Sequence, residues 1–364
     1  MKLGIAKEPQ DNRVAIVPPT LPKLKELGLE ILIEENAGEK AMHPNEEYRE
    51  NASVVSRTEL LKQADILLSI SPLPEEELQS ISKDTVLISQ FEPYFDHTIT
   101  DKLRGLNLRA FSLDMIPRTT LAQSMDVLSS MASIAGYKAV LEAARLLPRY
   151  FPMMITAAGS IRPAKVLVLG AGVAGLQAIA TARRLGAMVE AFDTRSAAKQ
   201  EVLSLGAKFV EVEGAAEDTG AGGYAVQQSE EFLKRQRAEV QNRASKSDII
   251  ITTAQVRGRK APLLVPKETV ENMKQGSVIV DLAASTGGNC ELTQDNQLVV
   301  HHGVQILGNS NLASSMPQDA SLLYSNNVLN FLKMLIKDGA LNLDMDNEII
   351  SGAFFTAEQE SSTE

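Results

Sequence analysis

Three glycines, Gly170, Gly172 and Gly175, carry the spacing G-x-G-x-x-G directly after the apolar run KVLVL, and one acid, Asp193, follows 18 residues after the last of them. This set can hold the pyrophosphate of a dinucleotide. Gly170 permits a tight turn off a strand, Gly172 lets the backbone approach a phosphate, and Gly175 lets the following helix pack close to the strand. Val173 and Ala174 open that helix, so its unsatisfied N–H groups and positive end face the phosphates. At the end of the next apolar run, AMVEAF, the Asp193 carboxylate accepts hydrogen bonds from an adenosine ribose and repels a 2′-phosphate. The pattern therefore predicts NAD(H) rather than NADP(H), although Arg195, two positions on past Thr194, pulls the other way. Glycines so spaced also serve plain turns. The strand before, the helix after and the acid beyond make the nucleotide reading the specific one.

Other constellations are thinner. RTTLAQSMDVLSS carries Arg118, Gln123, Asp126 and Ser129. These are either an ordinary helix start, with Ser124 or Asp126 as cap, or polar groups aimed at a ligand. GAAEDTGAGGYAVQQSEE, with Tyr224, reads as a linker or as a mobile flap over a cofactor. His43, His97, His301 and His302 show no zinc or iron spacing with Cys290 or with carboxylates, so no metal site is predicted. There is no G-x-S-x-G and no phosphate-binding lysine motif.

The elements that must position these residues alternate. KLGIAKE, LEILIEE, DILLSIS, TVLISQF and NLRAFSLD are strand-like, and segments of helical spacing such as LPKLKELG and RTELLKQA separate them. A long helix is predicted from Ala122 to Leu147, stopped by Pro148. Six further strands follow in KVLVLG, AMVEAFD, AKFVEVE, DIIITTA, SVIVDLA and QILG, and the chain turns helical again after Asn311. The fold class expected is α/β, two Rossmann-like doubly wound parallel-sheet domains with a cleft between them. Residues 1–128 with 312–364 would form one domain and 129–311 the nucleotide-binding one. The closing AEQESSTE is expected to be disordered.

With 364 residues, a net charge of −10 and one cysteine, the chain is expected to be a cytosolic globular protein that repels nucleic acid and anionic lipid. No signal-peptide pattern opens it, and the uncharged run Val166–Ala182 reads as strand, turn and helix rather than as a membrane span.

ITAAGSIRPAKVLVLGAGVAGLQAIATARRLGAMVEAFDTR, RTTLAQSMDVLSSMASIAGYKAV and VIVDLAASTGGNC together resemble the NAD(H)-binding component of proton-translocating nicotinamide nucleotide transhydrogenases. The resemblance runs from KEPQDNRVAIVP to DASLLYSNNVLNFL, and the family includes alanine dehydrogenases, which share the Arg13-Val14-Ala15 motif. It implies direct hydride transfer from NADH to NADP+ held on a partner, homodimerisation, and attachment to the inner membrane through a membrane-spanning alpha and an NADP(H)-binding beta subunit. By the same resemblance Arg118, Gln123, Asp126 and Ser129 contact the nicotinamide and its ribose, and Tyr224 closes over the nucleotide. The chain departs from common family forms at Leu121 and Ser285, and neither is given a role. The alternative is an alanine dehydrogenase-like enzyme, which needs a lysine and a histidine after the third and fourth predicted strands. The stretches there read LSISPLP and ISQFEPY, with neither residue. A non-catalytic nucleotide sensor would keep the glycines and Asp193 but transfer nothing.

Overall fold

The computed structural model describes residues 1–212 and 229–357. The chain divides into two compact units, residues 1–131 with 314–364, and residues 132–313.

The first unit is built on a six-stranded parallel sheet. Its strands are β1 (Lys2–Ile5), β2 (Glu30–Glu34), β3 (Ser53–Val55), β4 (Ile66–Leu68), β5 (Val86–Ser89) and β6 (Arg109–Ser112), in the order β3-β2-β1-β4-β5-β6. Helices α1 (Leu21–Glu26), α2 (Asn45–Tyr48), α3 (Arg57–Gln63), α4 (Glu75–Leu78) and α5 (Thr98–Gly105) fall between the strands. Local chemistry sets their ends: Ser56 and Glu59 close a reciprocal capping box at the start of α3. At Gly4 an added Cβ would lie 2.7 Å from the Ala64 methyl, so this glycine permits the chain just after α3 to lie against β1. Five strands were expected here; β3, three residues long, is the sixth.

The division between units falls within helix α6 (Val127–Leu146). The helix begins at Val127 rather than at the predicted Ala122, because Gln123–Met125 form a 3-10 turn and Asp126 then caps the helix. In the second unit a short hairpin, β7 (Met154–Thr156) and β8 (Gly159–Ile161), precedes a seven-stranded sheet. That sheet comprises β9 (Lys165–Leu169), β10 (Met188–Phe192), β11 (Lys208–Phe209), β12 (Ile249–Thr252), β13 (Val278–Asp281), β14 (Gln297–His301) and β15 (Val304–Gly308). The order is β11-β10-β9-β12-β13-β15-β14, all parallel but for β14. Six strands were expected; the seventh, β14, is an antiparallel edge strand hairpinned onto β15.

The parallel strands of this sheet are buried on both faces. Val166, Val168, Ile249, Ile251, Val278 and Val280 pack with α6, α7 (Val173–Arg184) and α8 (Ala198–Ser204). The alternate residues Leu167, Leu169, Ile250 and Ile279 pack with α9 (Glu230–Ala244) and α10 (Lys267–Glu271). Such continuous apolar strands are what a sheet covered on both faces requires. The segment Val166–Ala182 is thus β9, a turn and most of α7, as the sequence indicated. Helices α11 (Pro317–Leu335) and α12 (Glu348–Ala353) complete the first unit, where Phe111 of β6 lies against Phe331 and Phe354. Of the tail AEQESSTE, residues 357–364, expected to be disordered, all but Ala357 lie outside the described residues.

Candidate functional site

In the second unit β9 and β12 are neighbours from which the chain winds outward in both directions, and the glycine turn leaves the carboxyl end of β9 at that point. Ligands of open α/β sheets bind at such switch points. Gly170 has φ +102°, and a Cβ there would lie 2.5 Å from Thr253 Oγ1. Thr253, on the loop after β12, donates to the Gly170 carbonyl at 3.1 Å. An added Cβ on Gly175 would lie 1.9 Å from the same carbonyl oxygen, so only glycine lets α7 lie this close to the turn. Gly172 differs: a Cβ there would meet nothing within 4 Å. It is the side-chain-less N-cap of α7. Among the described residues nothing accepts the N–H of Gly172, Val173 or Ala174. The site therefore fits a pyrophosphate: a helix start with unspent donors and open approach.

A second glycine outside the motif belongs to this arrangement. Gly136 of α6 faces the first turn of α7, and an added Cβ would lie 2.1 Å from the Ala174 carbonyl oxygen. Backbone contact this close was not legible from G-x-G-x-x-G alone.

Asp193 stands at the end of β10 with its carboxylate 8% exposed. One oxygen accepts the Ala171 N–H at 2.7 Å, bracing the glycine turn. Arg195 grips both oxygens, Nε at 3.0 Å and Nη2 at 2.9 Å, and its own N–H adds a bond at 2.8 Å. Burial pushes this carboxyl up, but the guanidinium and the two N–H donors outweigh it and hold Asp193 below the usual aspartate range. The cation that would welcome a 2′-phosphate is thus held by the acid that would repel one. Thr194 between them is exposed.

The opposite wall is braced by residues the sequence reading did not single out. Asp281, at the end of β13 and fully buried, accepts from Ala283 N–H, Asn289 N–H, Cys290 N–H and Thr293 Oγ1 at 2.7–3.0 Å. Asn289 in turn accepts from the Ala254 N–H and donates to the carbonyls of Ala254 and Pro262. This network fixes the loops after β12 and β13. Its signal was the string VIVDLAASTGGNC, but the bonds from Asn289 to Ala254 and Pro262 are tertiary and leave no mark on the string itself. Cys290 is buried, its thiol pushed up to about 11 chiefly by burial, which makes it a poor nucleophile.

Arg118, Gln123, Asp126 and Ser129 belong to the first unit. Arg118 and Gln123 are exposed, and their side chains engage no partner among the described residues. Asp126 and Ser129 are committed locally: Asp126 accepts the Ser129 N–H at 2.9 Å and the Ser129 hydroxyl at 2.6 Å, an N-cap at the start of α6. Asn327 and Asn330 of α11 donate to the Ser124 carbonyl and hold this segment in place. Tyr224 and most of its glycine-rich stretch lie outside the described residues. For metals, the fold makes a juxtaposition that no spacing along the chain marked: Glu271, His301 and His302 come together.

Residues 4–135 match the family model described as alanine dehydrogenase/PNT, N-terminal domain, and residues 139–363 match alanine dehydrogenase/PNT, C-terminal domain. The chain is 42% identical over 369 residues to the first piece of NAD(P) transhydrogenase subunit alpha of Rhodospirillum rubrum, covering 98% of this chain and 96% of that one. A crystal structure of transhydrogenase from Sinorhizobium meliloti matches with a TM-score of 0.88 and 42% identity, covering 97% of each chain. At greater distance, alanine dehydrogenase of Staphylococcus haemolyticus is 24% identical over 350 residues, covering 93% of this chain and 88% of that one.

Proposed function

The chain belongs to the alanine dehydrogenase/PNT family, and from that premise we propose that it binds NAD(H) and exchanges hydride directly with NADP(H) on a partner transhydrogenase subunit. The observation that carries this reading is the open helix start at Gly172, whose three unspent N–H donors suit a pyrophosphate. Gly172, Val173 and Ala174 hold the diphosphate, and Gly170 and Gly175 give the turn its shape. Asp193 takes the adenosine ribose through lone pairs left over by Arg195 and Ala171, which favours NAD(H).

When bound, the nicotinamide supplies a hydride at C4. The chain's own part is to orient the ring and exclude water, since direct transfer needs distance and alignment rather than an acid and a base. Arg118 and Gln123, exposed and unengaged, orient the ring and its ribose. Asp126 and Ser129 contribute only what their cap leaves free, and Tyr224 closes over the nucleotide. The alanine dehydrogenase alternative lacks its chemistry where the resemblance would put it: the stretches LSISPLP at β4 and ISQFEPY at β5 carry Ser69, Ser71 and Glu92 but neither lysine nor histidine, and the nearest histidine, His97, comes three residues later at the start of α5.

The partner subunits we propose are a membrane-spanning alpha and an NADP(H)-binding beta chain, which carry the coupled proton movement and hold this chain at the cytoplasmic face of the inner membrane. Among the described residues no helix is long and apolar enough to cross a membrane. A homodimer is supported by the hairpin β7–β8 and the residue before it, where Met153 is 59% and Ile155 77% exposed, an apolar surface that a second copy would cover.

The test is to mix the chain with an NADP-binding transhydrogenase subunit and follow reduction of a nicotinamide analogue by NADH, with alanine and pyruvate offered to the chain alone in parallel. Transfer only in the mixture is expected, and turnover of alanine by the chain alone overturns the reading. Gln123→Asn should leave the NADH Kd within about tenfold, roughly 1.4 kcal/mol, while slowing transfer far more. Equal losses in both would remove Gln123 from the orienting role.

A further inference from the structure

A metal pattern is sought along the chain, and by that measure His301 and His302 have no partner, because the carboxylate that meets them stands 30 positions away. The fold supplies the meeting. β14 and β15 are joined by a two-residue turn, His302-Gly303, with φ +48° and +74°, and His301 pairs with Val304 to close the hairpin. Two left-handed residues make this the tight hairpin turn usually built from Asn-Gly, and histidine is among the few other side chains that tolerate the first position. The turn presents both imidazoles side by side, ring centroids 4.8 Å apart and planes within 24°. Helix α10 ends against them, with Glu271 Oε1 3.0 Å from His301 Nε2.

One ligand atom from each of the three side chains lies within 4.8 Å of the others. Donors around a tetrahedral ion bonded at about 2.0–2.2 Å stand about 3.3 Å apart. The His301–Glu271 separation is close to that spacing, and a rotation of the exposed His302 ring brings in the third ligand. Among the described residues no other trio of histidine, cysteine or carboxylate side chains has this spacing. His43 and Glu47 form a pair at 2.7 Å without a third member.

We infer that His301, His302 and Glu271 form a three-ligand surface site for a divalent first-row transition ion, fastening α10 to the tip of the β14–β15 hairpin. Two imidazoles with one carboxylate favour Zn2+, Ni2+ or Cu2+ over Mg2+ and Ca2+, which prefer all-oxygen shells. The fourth position is left to water. Because β15 runs parallel to β13, the hairpin tip lies at the end of the sheet opposite the glycine turn, so the ion and the nucleotide do not share a site. Lys267 Nζ, 3.7 Å from Glu271 Oε1, is the competing cation.

The experiment is calorimetric titration of the tag-free full chain with Zn2+ in buffer without phosphate. One ion per chain is expected to bind. His301→Ala, Glu271→Gln and His302→Asn, the last chosen because asparagine keeps the turn, should each weaken it about tenfold or more. Lys267→Ala should tighten binding several-fold, His43→Ala should change nothing, and every variant should keep the parent affinity for NADH. No saturable binding up to about 1 mM Zn2+ overturns the assignment, and so does binding that the three ligand variants leave unchanged.

Discussion

Both units wind their strands outward from a central pair, β1 and β4 in the first and β9 and β12 in the second. Each therefore has a crevice outside the carboxyl ends of that pair, the position where such sheets take ligands. In the first unit the crevice is filled by the chain itself. Glu8, just past β1, accepts the N–H groups of Ile70 and Ser71 beyond β4, at 2.6 and 3.2 Å. Asp11 holds the Arg13 guanidinium at 2.6–3.1 Å, with both side chains under a tenth exposed. In the second unit the equivalent turn has no side chain at Gly172, and among the described residues nothing accepts the N–H groups of Gly172, Val173 and Ala174. One topology thus carries a closed crevice and an open one. Strand order settles where a ligand can bind, and a few charged or missing side chains settle whether it does.

The largest expected effect breaks the closed crevice. Asp11→Asn removes the carboxylate that grips the buried Arg13 guanidinium and should cost about 3 kcal/mol at pH 7, with the NADH Kd unchanged. Burial pushes the Asp11 carboxyl up, but Arg13 wins and holds it at about 2, against an ordinary 3.8. A depressed folded value stabilises the protein above the unfolded value and loses that contribution as the pH falls. Denaturation curves of parent and variant should therefore converge between pH 4 and pH 2, and a gap of undiminished size at pH 2 would refute the pairing.

The next effects sharpen the open crevice. Gly175→Ala forces a methyl group into the Gly170 carbonyl and should lower stability by about 2–3 kcal/mol, together with NADH binding. Gly172→Ala, three residues away, has room in the free protein, so its melting temperature should stay put while NADH binding weakens about tenfold. If the two substitutions exchanged these outcomes, the roles given to the glycines would be reversed. The smallest effect is one of selectivity: Asp193→Ala frees Arg195 and should raise NADPH affinity relative to NADH, read from paired titrations. An unchanged ratio would mean that another residue sets the preference.

The open crevice was far more legible in the sequence than the closed one. Each glycine answers a local demand, turn, approach or close packing, and Asp193 falls at the end of the next strand, so spacing alone located the turn. Glu8 meets Ile70 and Ser71 only after β1 and β4 pair, and nothing in KEPQDNR announces it. The same holds for Asn289 with Ala254 and Pro262, and for Glu271 with His301. Short elements were lost for another reason: β3 has three residues and β14 is an exposed edge strand, and neither offers enough apolar residues to mark a period. Asp126 was legible as a candidate cap, and the structure uses it so. That leaves Arg118 and Gln123 as the loop's unexplained polar groups in the sequence and unengaged ones in the structure.

Amide hydrogen exchange read at single residues, with and without saturating NADH, tests the contrast between the two crevices most directly. The N–H groups of Gly172, Val173 and Ala174 should exchange freely in the unbound chain and slow when the nucleotide binds, while Ile70 and Ser71, already bonded to Glu8, should not respond. Protection appearing at Ile70 and Ser71 with none at the start of α7 would contradict the account.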